Sequence, residues 1–378
     1  MASALACQTA IADIKIGFSA PLSGGQAAVG QDQLDGFQLA LQERDGKLGG
    51  VAATVIREDD QLKPDVGSQI VRKFVERDRV DAIVGLGFSN VLMAGLKTIV
   101  DSGTVAIATN AGPSLVAGAG CAPNVFSAAW QNDGAAEGMG KYVQDKGFKR
   151  VYLMAPNYQA GKDMIAGFKR FYKGEVVDEV YTQVGQTDYS AEIAQLQAAG
   201  PDAVFVFYPG GMGVNYIKQV SQAGLLARTP VFSVFTVDGT TMPALREAAV
   251  GSVYSAMWDA GLQTPRNQAF VKAFEQRYQR VPSEYAATAY DAALILDAAV
   301  GKLGGNVADK KAFAQAVREA GSTIESVRGP FAFNNNHMPI QNYYTFEVKN
   351  EGGKPVVVET GVALSEHKDA YHGQCKAS

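Results

Sequence analysis

The sequence predicts an α/β protein built from two doubly wound parallel-sheet domains, and three observations carry that expectation. Six short apolar runs each stop in a cluster of small or hydroxyl residues and are each followed by a helix-like stretch. They fall into two successive sets of three. The length of 378 residues exceeds what one ordinary hydrophobic core organises, so about two domains are expected. Buried parallel strands read as continuous apolar runs, and open α/β sheets bind ligands just beyond the carboxyl ends of their strands. Two such sheets facing each other make a cleft.

The first set comprises residues 14–18 before Ser19-Ala20-Pro21-Leu22-Ser23-Gly24, 82–86 before Gly87-Phe88-Ser89-Asn90, and 105–108 before Thr109-Asn110-Ala111-Gly112. The second comprises 151–155 before Pro156-Asn157-Tyr158, 203–207 before Tyr208-Pro209-Gly210-Gly211, and 231–235 before Thr236-Val237-Asp238. Between them lie amphipathic helices: Leu34, Phe37 and Leu41 recur at i, i+3, i+7, and Pro64 opens a segment with Val66, Ile70 and Phe74 on one face. Similar stretches span 135–146, 162–172, 191–199, 214–223, 267–280, 285–302 and 310–320. Strand, helix, strand in sequence gives right-handed parallel units. A further run at 252–257 precedes two long helices and then runs at 329–333 and 343–348, the last alternating like an edge or antiparallel strand. The helices over 267–320 have no strands of their own and must cover a sheet already formed, so the chain crosses between domains more than once.

The composition, 47% hydrophobic and 19% charged with a net charge of -4, fits a globular chain. With no dense Lys/Arg block, it argues against nucleic acid or an anionic membrane as the main partner. A small ligand is the default. The N-terminal segment 1–12 is short, uncharged and rich in small residues, like the end of a secretory leader; Ala10-Ile11-Ala12 has the form of a cleavage site that would leave Asp13 first. Cys7 follows a poor lipobox and reads as a leader cysteine. In an exported protein the remaining two, Cys121 and Cys375, are expected to form a disulfide that pins the C-terminal segment, with two inert thiols as the alternative. No C-x-x-C is present, and the three histidines, His337, His367 and His372, lie far from every strand end. No metal or cofactor is expected.

These segments together resemble the type I periplasmic solute-binding proteins of ABC importers, the Leu/Ile/Val-binding family. The residues that match are Ile14-Lys15-Ile16-Gly17 with Pro21-Leu22-Ser23-Gly24, Gly85-Leu86-Gly87-Phe88-Ser89, Ile107-Ala108-Thr109-Asn110-Ala111, Asn157-Tyr158-Gln159-Ala160-Gly161, Asp188-Tyr189, and the stretch 285–290. The resemblance implies a three-segment hinge, with one lobe formed by 13–127 plus 259–330 and the other by 128–258 plus 331–378. It also implies a membrane permease as partner, and a monomer.

In that family the ligand's carboxylate is gripped by a hydroxyl at the position of Ser89 and by backbone N–H groups at Asn110, Ala111 and Gly112. A helix N-terminus holds an anion without a basic side chain, because its first N–H groups are unpaired and its dipole end is positive. For Ser89 a plain helix N-cap is the competing reading. Amino-acid binders of the family place an acidic residue after the sixth run to meet the ammonium. Here Thr236 stands there and Asp238 is displaced by two, which points to a ligand without an amino group. Phe88, Tyr158, Tyr208 and Tyr285 make the expected cleft aromatic, with Val29 completing its lining; Phe235 faces either cleft or core. Gly210-Gly211 leaves room for a ring. The expected ligand is a small aromatic carboxylate of benzoate, hydroxybenzoate or phenylpropenoate type, with Thr236 or Tyr208 answering a ring hydroxyl and hinge closure as the output.

The alternatives are a branched-chain amino-acid or amide binder in which Asp238 swings in, a ligand sensor on the same fold, and an enzyme. The last has little support: there is no G-x-S-x-G, P-loop or H-E-x-x-H. Asp59-Asp60 could hold a metal but reads better as a solvated strand end.

Overall fold

The computed structural model describes residues 12–376; all of the expected leader but its last residue, Cys7 included, lies outside them. The first sheet is made of β1 (Ile14–Ala20), β2 (Lys47–Leu48), β3 (Val51–Asp59), β4 (Ala82–Gly85), β5 (Val105–Ala108) and β6 (Val125–Ser127), in spatial order β2-β3-β1-β4-β5-β6. All neighbours are parallel except β2 against β3. The second contains β7 (Arg150–Pro156), β8 (Glu175–Thr182), β9 (Ala203–Phe207), β10 (Val231–Val234), β11 (Val253–Ala256), β12 (Ala332–Phe333), β13 (Pro339–Glu351) and β14 (Lys354–His367). Its order is β12-β13-β11-β10-β9-β7-β8, with β14 antiparallel to β13. In each sheet the strand order reverses beside the first strand, at β1/β4 and at β7/β9, which is where an open α/β sheet leaves a crevice.

The crossover helices are α1 (Ala27–Gln42), α2 (Pro64–Arg72), α3 (Ser89–Ser102), α4 (Ser114–Ala117), α5 (Asp133–Asp145), α6 (Gln159–Phe171), α7 (Ser190–Ala199), α8 (Gly211–Gln222) and α9 (Met242–Leu245). Three more follow the second set of strands: α10 (Pro265–Tyr278), α11 (Glu284–Lys302) and α12 (Lys310–Ala320). α11 returns to lie along α1, so these helices cover the first sheet. The approach is close enough to require a glycine: a Cβ on Gly36 would stand 2.1 Å from the Ala286 carbonyl oxygen.

Strands β8 and β14 and the short β6 are absent from the sequence-based expectation. β8 and β14 are half-buried and polar, so neither carries the apolar run that marks a central strand. The tail does not stay with the second sheet. Asn336 donates to the Ala117 carbonyl, the Ser127 N–H donates to the His337 carbonyl, and Cys375 is disulfide-bonded to Cys121, with the two Cα atoms 5.6 Å apart. Parts of 331–378 therefore rest on first-sheet elements. Asp59 and Asp60 are not a solvated strand end: Asp60 is buried, with one oxygen on the Ser19 hydroxyl and the other on the Leu62 N–H, and Asp59 accepts from the Leu22 and Gln61 N–H groups. Both carboxylates fasten loops. Among the described residues no helix is long and apolar enough to cross a membrane.

Candidate functional site

The carboxyl ends of both sheets converge on a cavity of about 280 Å³ including its open mouth. Its first-sheet wall is Gly87, Phe88 and Ser89 from the β4–α3 turn and Asn110 and Ala111 after β5. Its second-sheet wall is Tyr158, Ala160 and Met164 around the start of α6, Phe207 and Pro209 after β9, and Phe235 after β10. Trp130 and Asn132, from the segment joining the sheets, and Tyr285 from α11 close it. None of these side chains is charged.

The polar end is preorganised. Phe88, in extended backbone, is the N-cap of α3 and Ser89 is its first helical residue, so Ser89 does not cap the helix with its side chain. Its hydroxyl oxygen instead accepts a 3.1 Å hydrogen bond from Asn132 Nδ2. That leaves the hydroxyl proton to be donated, beside the unpaired N–H groups of the first turn. Asn132 is held from three sides: Nδ2 also donates to Asp163 at 2.9 Å, and Oδ1 accepts the Gly112 N–H at 3.1 Å. Asp163 is itself occupied by the Ser114 N–H and hydroxyl and by Gln159.

The rest of the cavity is aromatic. Trp130 stacks on Phe235 with centroids 4.4 Å apart, Tyr285 lies 6.0 Å from Trp130, and Tyr158 stacks on Phe207 at 6.2 Å. Phe235 reaches its place through left-handed backbone, φ 51°, which a bulky side chain rarely adopts and which concentrates at ligand sites. Burial pushes the Tyr158 phenol well above its ordinary range, so it is a neutral hydroxyl.

Of the residues expected from the sequence, Ser89, Asn110, Ala111, Tyr158, Phe88 and Tyr285 meet around this cavity, and four do not. The Gly112 N–H is taken by Asn132, and a Cβ there would stand 1.8 Å from the Trp130 carbonyl oxygen; the glycine seats the crossing segment. Tyr208 points to the opposite side of the second sheet, packing on Tyr189 and Tyr216 with its hydroxyl accepting from Thr182. Thr236 is turned inward, its hydroxyl accepting from the Tyr208 N–H and donating to the Val234 carbonyl. Neither can answer a ring hydroxyl. Val29 is fully buried in the core rather than exposed to the cavity.

Asp238 is likewise not free to swing in. One oxygen accepts from the Thr240 N–H and hydroxyl and the Thr241 N–H, and the other from Tyr285 at 3.2 Å. That last bond ties the two halves together, as do Gln26 to the Pro209 carbonyl at 3.0 Å and the Ser114 hydroxyl to Asp163 at 2.7 Å. Gly210, φ 57°, admits Gln26: its Cβ would lie 2.2 Å from Gln26 Oε1.

The residues that sequence reasoning missed are Trp130 and Asn132, on a connector assigned only a boundary, and Phe207, Ala160 and Met164. Ala160 and Met164 were detectable in principle, standing four residues apart on the α6 face that Tyr158 opens.

A family model described as periplasmic binding protein matches residues 13–354. The chain is 32% identical, with a TM-score of 0.91, to a solute-binding protein of an ABC transporter from R. palustris solved in complex with benzoate; the match covers 97% of this chain and all of that one. A solute-binding protein from Rhodopseudomonas palustris BisB5, in complex with 3,4-dihydroxybenzoic acid, is 25% identical with a TM-score of 0.87 over 95% of this chain and 99% of its own. Among curated proteins, Leu/Ile/Val-binding protein homolog 2 of Brucella abortus is 28% identical over 92% of this chain and 93% of its own length.

Proposed function

The chain belongs to the periplasmic binding protein family of ABC transporters, and from that premise we propose that it is an exported receptor for a small aromatic carboxylate of the benzoate class. One observation carries this reading: the cavity has an anion-holding helix N-terminus and aromatic walls but no charged side chain. The Ser89 hydroxyl and the N–H groups at the start of α3 and at Asn110 and Ala111 hold the carboxylate. Phe88, Tyr158, Trp130 and Phe235 enclose the ring. An α-ammonium would be buried without a counter-charge, which costs several kcal/mol (roughly 2–7 even for an uncharged polar group left unpaired). Asp238, the nearest candidate for that charge, is spent on Thr240, Thr241 and Tyr285.

The mechanism is closure of two lobes about a hinge, with 13–127 plus 259–330 forming most of one lobe and 128–258 with β13 and β14 most of the other. Ligand touches both lobes and favours the closed form, which a membrane permease then recognises. No reaction follows; the protein acts as a monomer and its output is binding. The relatives at 25% and 28% identity carry the name Leu/Ile/Val-binding, which favours a branched-chain amino acid as the second reading.

Titration calorimetry with benzoate, 4-hydroxybenzoate, 3,4-dihydroxybenzoate, leucine and isoleucine separates the two. Binding of the benzoates but not of leucine is expected; saturation by leucine alone would overturn the aromatic reading.

A further inference from the structure

A second cavity, about 970 Å³ including its open mouth, lies on the closure seam behind Tyr285. The loop after β10, the segment after β11, the start of α11 and the edge of β14 bound it. Three carboxyl groups face it: Asp238, Asp259 and Glu284. None of its lining residues is basic. Arg280, on the neighbouring loop, is committed to Asp32 and Asp35.

Asp238 is fully hydrogen-bonded, and Asp259 accepts from the Gly261 N–H at 2.7 Å. Glu284 is different. Its side chain belongs to a residue only 4% exposed, and only its own backbone N–H donates to its carboxyl. Such a group, buried with two other acids and aimed into a solvent-connected space, lacks the positive partner that buried carboxylates require. Two aromatic side chains, Tyr254 and Trp258, share the lining. Among the described residues no three acidic, histidine or cysteine side chains are grouped tightly enough to hold a metal ion. Carboxylates spread around an aromatic-lined space suit a diffuse cation better than a compact one.

We propose that this seam cavity is a second binding site, for a small organic cation carrying an ammonium group. Glu284 supplies the ion pair, Asp259 and Asp238 add negative potential, and Tyr254 and Trp258 offer faces to the alkyl or methyl groups. Burial and the neighbouring carboxylates push the Glu284 carboxyl well above its usual range. The site communicates with the aromatic cavity through one residue pair: Asp238 lines the seam, and its partner Tyr285 lines the aromatic cavity. An occupant that neutralises the seam favours the closed form and so tightens binding of the first ligand.

The test uses the full chain and two probes that lack a carboxylate, methylammonium and tetramethylammonium chloride, against sodium chloride and calcium chloride at matched ionic strength. Neither probe can use the Ser89 grip, so the result is independent of the benzoate assignment. At saturating probe the wild type is expected to melt about 2 °C or more above the sodium chloride control. Glu284→Gln should weaken probe binding about tenfold or more, since it removes the charged partner of the ammonium, while a benzoate ligand still binds. No stabilisation beyond sodium chloride, a calcium response larger than the ammonium one, or unchanged probe affinity in Glu284→Gln would each overturn the proposal. The comparison of the ammonium salts with sodium and calcium chloride on the wild type decides the matter even if the variant folds poorly.

Discussion

At the scale of single residues, the site depends on hydroxyl and amide groups placed by others. Ser89 is useful because Asn132 already donates to its oxygen, leaving one direction for its proton. Ser89→Ala removes a donor to a charged ligand at a loss of about 1.5–3 kcal/mol, so benzoate affinity should fall about tenfold or more in calorimetry with Tm little changed. Unchanged affinity would place the carboxylate elsewhere. A second residue-scale prediction concerns Asp60. Burial raises its carboxyl to about 6, against the hydrogen bonds from Leu62 and Ser19 that lower it. The native state thus holds a proton that the unfolded chain, with a pKa near 3.8, has lost. The linked stability is fully present below pH ~4 and disappears as pH rises through about 6. Asp60→Asn is neutral throughout and should flatten the fall in Tm between pH 4.5 and 7.5. A fall as steep as in the wild type would assign it to Asp32 and Asp133, which burial likewise raises to about 6.

At the scale of elements, the apolar runs marked the central strands because a strand covered on both faces must be apolar throughout. All six expected runs coincide with β1, β4, β5, β7, β9 and β10 to within two residues at either end. Edge strands carry no such constraint, which is why β8 and β14 escaped notice. Two of the errors at the site share one geometric origin. Successive residues at a strand end point to opposite faces, and the apolar run does not say which of two adjacent residues faces the cleft. Reading Tyr208 and Thr236 instead of Phe207 and Phe235 is a displacement of one position in each case. Ser89, Asn110 and Tyr158 were legible because a turn into a helix leaves less choice of direction. Helix packing gives the third prediction. The α1–α11 contact is set by Gly36, and any Cβ there meets Ala286 backbone at 2.1 Å. Overpacking of this kind costs about 1–3 kcal/mol, so Gly36→Val should lower Tm. Because Tyr285 is carried on α11, the displaced helix should also weaken benzoate binding. A variant as stable as the wild type would mean that the two helices can separate without penalty.

At the scale of the whole molecule, a closing cleft requires connections that bend without coming apart, and Arg328 is placed to hold them. It is 3% exposed and donates to the carbonyls of Ala128 and Ala129, to the Gln341 side chain and to Asp291 of α11. The segment leaving the first sheet, the segment returning to the second and the long helix thus converge on one guanidinium. Its planar fork serves several acceptors at once, which a lysine ammonium cannot do from one fixed position. Burial draws its pKa down while Asp291 opposes the shift, and the guanidinium stays charged beside its carboxylate partner. Arg328→Ala would strand the Asp291 carboxylate, which is itself buried, at a cost of about 3–5 kcal/mol. Tm should fall by several degrees, and Arg328→Lys should recover only part of it because the carbonyls of Ala128 and Ala129 lose their donors. If Arg328 also sets the pivot, the lysine variant should bind benzoate more weakly than its loss of stability accounts for, because unpinned crossings widen the range of open forms that ligand must draw together. Solution scattering with and without benzoate reads this directly. A lysine variant that compacts on benzoate as fully as the wild type, with equal affinity, would reduce Arg328 to a stabilising contact and move the pivot elsewhere.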